Sequence, residues 1–164
     1  MKNRFLILVS AISLYANTSS FDYIYPYSDP TFSNYGTVGL ISVPNARFLK
    51  EGSLAFSWNR AQPYLRGSIL AYPFSWLEAS YQYTDINNQL YSDSFAFSGN
   101  QTYKDKGFDV KIRIFKETNS TPQLALGLRD NAGTGLFASE YFVASKQINN
   151  IDFTFGVGWG TLSA

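Results

Sequence analysis

Seven segments of the chain alternate apolar and polar residues with a period of two, and this pattern constrains the fold more than any other feature. The alternation predicts β-strands over residues 53–59, 64–72, 76–84, 108–116, 123–129, 137–146 and 151–160. It is weakest over residues 64–72 and 137–146. No stretch after the first twenty residues has the period of an amphipathic helix. The sequence therefore predicts an all-β, antiparallel chain.

The two faces of these strands differ in chemistry. Shifting the strand over 108–116 by one residue would turn Asp109, Lys111 and Arg113 to the apolar side, and each cation at a bilayer midplane costs about 2–4 kcal/mol. We expect the polar face to line a lumen and the apolar face to contact lipid. The polar set is Glu78, Gln82, Asp109, Lys111, Arg113, Arg129 and Asp152, and the apolar set is Leu77, Tyr81, Val110, Ile112, Leu126, Phe153 and Phe155.

Composition narrows the function classes. The net charge of +1 lacks the positive excess of a nucleic-acid binder. The chain has no His and no Cys, which removes the commonest general base, disulfides, thiolate sites and a lipid-bearing N-terminal Cys. Four carboxylates are expected on the inner face, where they pair with cations rather than act as acid and base. They are Glu78, Asp109, Glu140 and Asp152. We predict no enzymatic activity, no catalytic or metal-binding residues and no cofactor.

The N-terminus has the parts of a secretory signal peptide. A short basic start precedes an apolar run over residues 5–15, which is too short to cross a bilayer as a helix, and small residues follow. We predict a signal peptide over 1–20, a leader with a Gly/Pro-rich segment over 21–52, and antiparallel barrel strands over 53–164. Each strand has about the length, roughly 9–11 residues, that a tilted strand needs to cross a bilayer. Together these features predict an up-and-down outer-membrane β-barrel.

The connections between the strands support this arrangement. If the first strand starts in the periplasm, the turns over 73–75, 117–122 and 147–150 are periplasmic, and those over 61–63, 85–107 and 130–135 lie outside. The long connection over 85–107 then falls on the side where bacterial barrels carry their longer loops. Aromatic residues in or beside it either contact sugar rings or anchor the strand ends at the membrane interface. They are Tyr81, Tyr83, Tyr91, Phe95, Phe97 and Tyr103.

Five blocks of sequence are distinctive when taken together. They are GTVGLISVPNAR at 36–47, PFSWLEASYQYT at 73–84, KGFDVK at 106–111, LGLRD at 126–130 and GTGLFASEY at 133–141. In this order they resemble the YjbH family of exopolysaccharide-associated outer-membrane proteins. The resemblance implies an outer-membrane β-barrel encoded with polysaccharide export or capsule genes, without an established enzymatic activity. Because relatives are several times longer, we expect an incomplete barrel segment of about seven to eight strands, the N-terminal part of a larger barrel.

Three functional hypotheses follow. The first is a non-enzymatic barrel that serves secretion or assembly of an extracellular polysaccharide. Its partners would be outer-membrane lipid, the polysaccharide and export or assembly proteins, and no nucleic acid. The second is a complete eight-stranded barrel, structural or adhesive, in which residues 37–43 supply a strand. The third is a soluble, secreted, sugar-binding β-sandwich, which would show the same alternation.

Overall fold

The structure, a computed structural model, describes residues 7–14, 30–148 and 151–163. In this part of the chain, no helix combines the length and the hydropathy that a membrane-crossing helix requires. The strands are β1 (Ile7–Leu14), β2 (Gly39–Leu40), β3 (Val43–Pro44), β4 (Leu54–Ala61), β5 (Tyr64–Phe74), β6 (Leu77–Leu90), β7 (Thr102–Phe115), β8 (Gln123–Arg129), β9 (Ser139–Ile148) and β10 (Ile151–Gly160). The helices are α1 (Phe95–Ser98) and a 3-10 helix (Thr161–Ser163).

Strands β4 to β10 form one antiparallel sheet in chain order, and β1 pairs with the far side of β10. Each strand after β4 is hydrogen-bonded to the one before it, which confirms the prediction of an all-β, antiparallel chain. The strands predicted over 123–129 and 151–160 coincide with β8 and β10. The other sheet within the described residues is the short β2–β3 hairpin. The two packed sheets of the sandwich hypothesis are therefore not the architecture observed.

The connection predicted over 85–107 is shorter in the structure, because β6 and β7 continue into it. The ladder pairs Asp85 with Lys104 and Ile86 with Tyr103. Opposite charges directly across a ladder stabilise the pairing, and Lys104 Nζ lies 2.6 Å from an Asp85 carboxylate oxygen. The polar sequence after Asp85 lacks the alternation that would have predicted this extension. Residues 91–101 remain as the loop and contain α1.

The residues before β4 differ from the predicted leader. Strand β1 lies within the predicted signal peptide, and its removal stays a prediction. Residues 15–29 and 149–150 lie outside the described residues; they belong to the end of the predicted signal peptide, the start of the predicted leader and the turn at 147–150. Strands β2 and β3 form a hairpin separate from the main sheet. The expectation that residues 37–43 supply a strand of the barrel is therefore wrong, because this segment packs on a face of the sheet and not at its edge.

Burial alternates along the strands in the sense opposite to that of a soluble β protein. On one face, the side chains of Glu78 and Lys111 are almost fully buried. On the other face, Leu54 is 75% and Phe56 is 67% exposed. Soluble proteins bury apolar side chains and rarely bury charged ones. We call the buried polar side the inner face and the exposed apolar side the outer face.

Residues 30–52, which we call the inner segment, cover the inner face. Val38 packs with Leu70 and Tyr72 of β5, and Ala46 packs with residues of β8 and β9. Both Val38 and Ala46 are fully buried. Because strands far apart in the sheet contact this one segment, the sheet curls around it.

Candidate functional site: the polar inner face

The seven polar side chains that the sequence assigns to one face all lie on the inner face. Six are buried and Arg113 is half-buried. They come from four strands: Glu78 and Gln82 from β6, Asp109, Lys111 and Arg113 from β7, Arg129 from β8 and Asp152 from β10. That this face lines a lumen stays a prediction.

A buried ion pair lies at the centre of the inner face. Lys111 Nζ is 3.0 Å from Glu78 Oε2, and the two side chains are 1% and 2% exposed. The Tyr72 hydroxyl donates to the same carboxylate oxygen over 2.6 Å. Lys111 also donates to the backbone carbonyls of Arg47, at 2.9 Å, and Val38, at 3.3 Å. Such hydrogen bonds offset the desolvation of a buried pair, and here they also fasten the inner segment to the sheet.

A second charge cluster lies around Arg47 of the inner segment. Its Nε and Nη2 donate to the two carboxylate oxygens of Asp152 over 2.8 and 2.6 Å, and its Nη1 donates to Glu117 Oε2 over 2.5 Å. Lys146 Nζ lies 3.1 Å from the other oxygen of Glu117. A guanidinium that binds a carboxylate through two nitrogens is the strongest form of this interaction.

These contacts shift the pKa values of Arg47 and Glu117. Burial opposes the charge on Arg47, but its hydrogen bonds to Asp152 and Glu117 outweigh that effect and raise the pKa of the guanidinium above its usual range. Burial likewise opposes ionisation of Glu117. Hydrogen bonds from Arg47, the Gln147 backbone amide and Lys146 outweigh it and lower the pKa of the Glu117 carboxyl. Arg47 and Glu117 are therefore held in their charged forms.

At the other end of the sheet, two arginines enclose the ring of Tyr35. The guanidinium carbon of Arg129 lies 4.0 Å from the ring centroid, and that of Arg66 lies 4.6 Å from it. These distances are typical of cation–π contacts. None of the three Arg129 guanidinium nitrogens has a hydrogen-bond partner within the described residues. Gln82 Nε2 donates to the Tyr35 carbonyl, which holds the backbone of the inner segment at this point.

The connection after β8 is anchored by two aspartates. Asp109 Oδ1 accepts a hydrogen bond from the Asp130 amide over 2.8 Å, and Asp130 Oδ2 accepts one from the Phe137 amide over 3.1 Å. Burial raises the pKa of the Asp130 carboxyl, and the Phe137 amide partly offsets this rise. Within the described ranges, no group of three or more acidic side chains is placed to hold a metal ion.

The seven apolar side chains predicted to contact lipid lie on the outer face. Ile112, Phe153 and Phe155 are exposed, and Leu77, Tyr81, Val110 and Leu126 are half-buried. Their contact with lipid stays a prediction.

The placement of Glu140 on the inner face is wrong. Glu140 is exposed on the outer face and accepts a hydrogen bond from Trp159 Nε1. In β9 the inner positions are the odd-numbered ones, which are taken by Ser139, Tyr141 and Val143. Glu140 therefore shares its face with Phe142.

The residues of the site that sequence reasoning missed include Tyr35, Arg47, Arg66 and Tyr72. Tyr35 and Arg47 belong to a segment with no periodicity, so the sequence carries no signal of their orientation. Arg66 and Tyr72 could have been found, because Arg66, Ser68, Leu70 and Tyr72 occupy alternate positions of β5 and share one face.

Comparison with known proteins identifies the family. The family model YjbH, described as exopolysaccharide biosynthesis protein YbjH, matches residues 31–164. A relative from Escherichia coli (strain K12), named an uncharacterized lipoprotein YjbH, is 44% identical over 163 residues. That alignment covers 99% of this chain and 23% of the relative, so the chain spans about a quarter of the length of the relative. No solved structure matches the chain. The chain belongs to the YjbH family of exopolysaccharide biosynthesis proteins.

Proposed function

We propose that the chain is part of a non-enzymatic outer-membrane β-barrel that takes part in the production or export of an exopolysaccharide. Membership of the YjbH family supports the link to exopolysaccharide. The observation that carries the membrane placement is the reversed burial of the sheet, with charges inside and large apolar side chains outside.

The outer face supports a lipid environment. Besides Leu54 and Phe56, Trp58 is 64% exposed, and Ile69 and Phe155 are 50% exposed. Monomeric soluble proteins rarely expose apolar patches larger than a few hundred Å². In a bilayer, the same side chains would lie in hydrocarbon.

One end of this apolar surface carries basic and aromatic side chains. Where β7 passes Phe108 towards its N-terminal end, the outer positions change to Lys106 and Lys104. On β6 the neighbouring outer position is Tyr83, and on β10 it is Trp159. Tyr and Trp concentrate at membrane–water interfaces, and basic side chains suit the same level. We infer that this end of the sheet lies at a membrane–water interface, and the expected start of the first barrel strand in the periplasm makes it the outer one.

The inner face supports a structural role rather than catalysis. Glu78 is bound by Lys111 and Tyr72, and Asp152 is bound by Arg47. These carboxylates are engaged in ion pairs that join elements of the fold, so we assign the inner face no reaction. Its partners in this proposal are the polysaccharide and other export or assembly proteins, with outer-membrane lipid on the outer face.

The test is a deletion of the gene in its natural host, under conditions in which the host makes the polysaccharide. We expect the amount or composition of surface polysaccharide to change, and the wild-type gene to restore it. The protein should fractionate with the outer membrane. Unchanged polysaccharide would contradict the link to exopolysaccharide, and recovery in the soluble periplasmic fraction would contradict the barrel.

A further inference from the structure

We propose that a cleft at the tip of the β6–β7 hairpin binds a negatively charged sugar. This inference rests on the proposed function, since it names the ligand class of an exopolysaccharide protein. The cleft has a volume of about 450 Å³, and its lining includes Tyr91, Phe97, Gln101, Lys104 and Lys106. That volume lies within the range of small-molecule binding sites. The cleft lies outside the inner face described above.

The hairpin projects beyond the end of the β7–β8 pairing, while on its other side β5 follows β6 as far as Ile86. Strands β6 and β7 pair as far as Leu90 and Thr102, whereas β8 pairs with β7 only up to Val110. The eight residue steps from Val110 to Thr102 carry the tip roughly 25 Å beyond the end of the β7–β8 pairing, at about 3.3 Å per residue. In the proposed orientation, the cleft faces the medium outside the cell.

Aromatic rings form one side of the cleft. The rings of Tyr91 and Phe97 are stacked with centroids 6.4 Å apart, and Tyr103 lies 6.3 Å from Tyr91. Phe97 is 75% exposed, and α1, which carries it, has no buried residue. Covering an exposed aromatic group with an apolar surface removes it from water and lowers the free energy. The C–H face of a sugar ring has the flat shape that fits such a surface.

The other side of the cleft carries an uncompensated positive charge. Lys104 is neutralised by Asp85, at 2.6 Å. Lys106 is exposed, and in the part of the chain that the structure describes its ammonium makes no ion pair or hydrogen bond. An ammonium in this position attracts a carboxylate or phosphate. A neutral sugar would contact the rings but would not pair with the Lys106 ammonium. The cleft therefore favours an acidic sugar.

Two sources could provide this chemistry: the acidic sugars of an exopolysaccharide, or the phosphorylated sugars of a membrane glycolipid. The test is calorimetric titration of the purified protein in detergent micelles with oligogalacturonate, with a dextran oligosaccharide of the same length, and with lipopolysaccharide. We expect an acidic ligand to bind at least about tenfold more tightly than dextran. Added salt should weaken this binding.

Two variants test the lining of the cleft, and each has a matched control elsewhere in the chain. Phe97→Ala and Lys106→Gln should each weaken binding of the acidic ligand by about tenfold. Phe95→Ala is the control for the first, because Phe95 is 72% exposed but does not line the cleft. Lys116→Gln is the control for the second, because Lys116 is exposed just beyond the opposite end of β7. Both controls should stay within about twofold of the wild type.

Each outcome supports or contradicts the proposal. Binding of oligogalacturonate supports it and identifies polysaccharide as the source, and binding of lipopolysaccharide alone supports it and identifies the membrane. Equal binding of dextran and oligogalacturonate, binding of none of the three ligands, or equal losses in variants and controls would overturn it. These results are independent of the deletion phenotype, so failure of the cleft proposal and failure of the proposed function can be told apart.

Discussion

Arg47 binds Asp152 through two hydrogen bonds, although the two residues are 105 positions apart in the chain. The pair joins the inner segment to β10, the last strand in the chain. The same guanidinium also reaches Glu117, in the connection between β7 and β8. The docking of the inner segment and the curvature of the sheet are therefore coupled through one side chain.

Replacing Arg47 should loosen the inner segment where it meets β10. Arg47→Ala removes the guanidinium that binds Asp152 and Glu117, whose side chains are only 6% and 20% exposed. Breaking a fully buried pair costs about 3–5 kcal/mol, and we expect about 2–3 kcal/mol for this partly exposed one. Urea unfolding in detergent measures the loss.

Limited proteolysis of the same variant should show faster cleavage between residues 30 and 52. Arg60→Ala is the matched control, because Arg60 is an exposed arginine on the outer face of β4. An Arg47 variant as stable and as protease-resistant as this control would rule out the coupling.

Gly36 permits the close approach of the inner segment to β5. Its φ is +81°, and a Cβ atom at this position would lie 2.7 Å from Ser68 Cβ. Gly36→Ala should therefore cost about 1–3 kcal/mol for the steric clash, in addition to the cost of a positive φ. Gly52→Ala provides the comparison, because Gly52 has φ +79° but nothing within 4 Å of the added methyl group. Equal losses of unfolding free energy in the two variants would contradict the packing of the inner segment on β5.

The Glu78–Lys111 pair should behave as a coupled unit. Lys111→Met removes the ammonium group from the buried Glu78 carboxylate and leaves the Tyr72 hydroxyl bound to it, and we expect a loss of about 3–5 kcal/mol. The double variant, with Glu78→Gln added, should be more stable than the sum of the single losses predicts, because it buries no unpaired charge. A double-mutant cycle measures this coupling. Additive losses would mean that the two side chains do not form the buried pair.

Glu117 should contribute stability that depends on pH. Folding lowers the pKa of its carboxyl, so the ionised form is bound more favourably in the folded protein. This stabilisation is present above the unfolded pKa of about 4.3 and is lost as the pH falls through the lower folded pKa. Glu117→Gln should therefore lower the urea midpoint at pH 7, and the difference from the wild type should shrink towards pH 3.

The control for this pH dependence is Asp93→Asn, which removes an exposed loop carboxylate. Its difference from the wild type should be small at both pH values. A Glu117→Gln difference that stays constant with pH would contradict the ionic role of this carboxylate.

Most of the sheet could be predicted from the sequence because each strand follows one simple pattern, with apolar side chains on the outer face and polar side chains on the inner face. Strands β8 and β10 alternate strictly, and their predicted bounds agree with the structure. The ends of β6 and β7 were missed, because cross-strand pairs such as Asp85 with Lys104 form only once the register is known. A single-chain pattern does not contain that information.

The inner segment could not be predicted for a different reason. Its position depends on a close approach at Gly36, on backbone carbonyls that accept from Lys111 and Gln82, and on the reach of Arg47. None of these leaves a periodic signal. The sequence identified the polar side chains of the inner face correctly, but it gave no indication that another part of the chain covers them.

The central claim, that the outer face lies in lipid, is tested most directly by fluorescent labels at single cysteines in protein reconstituted into vesicles. The chain has no native Cys, so Phe155→Cys and Asp93→Cys each give one label, on the outer face and in the loop of α1. We predict that the label at position 155 is quenched by lipids with a nitroxide on the acyl chain and protected from iodide, and that the label at position 93 shows the reverse. Equal quenching of both labels by iodide would contradict the account.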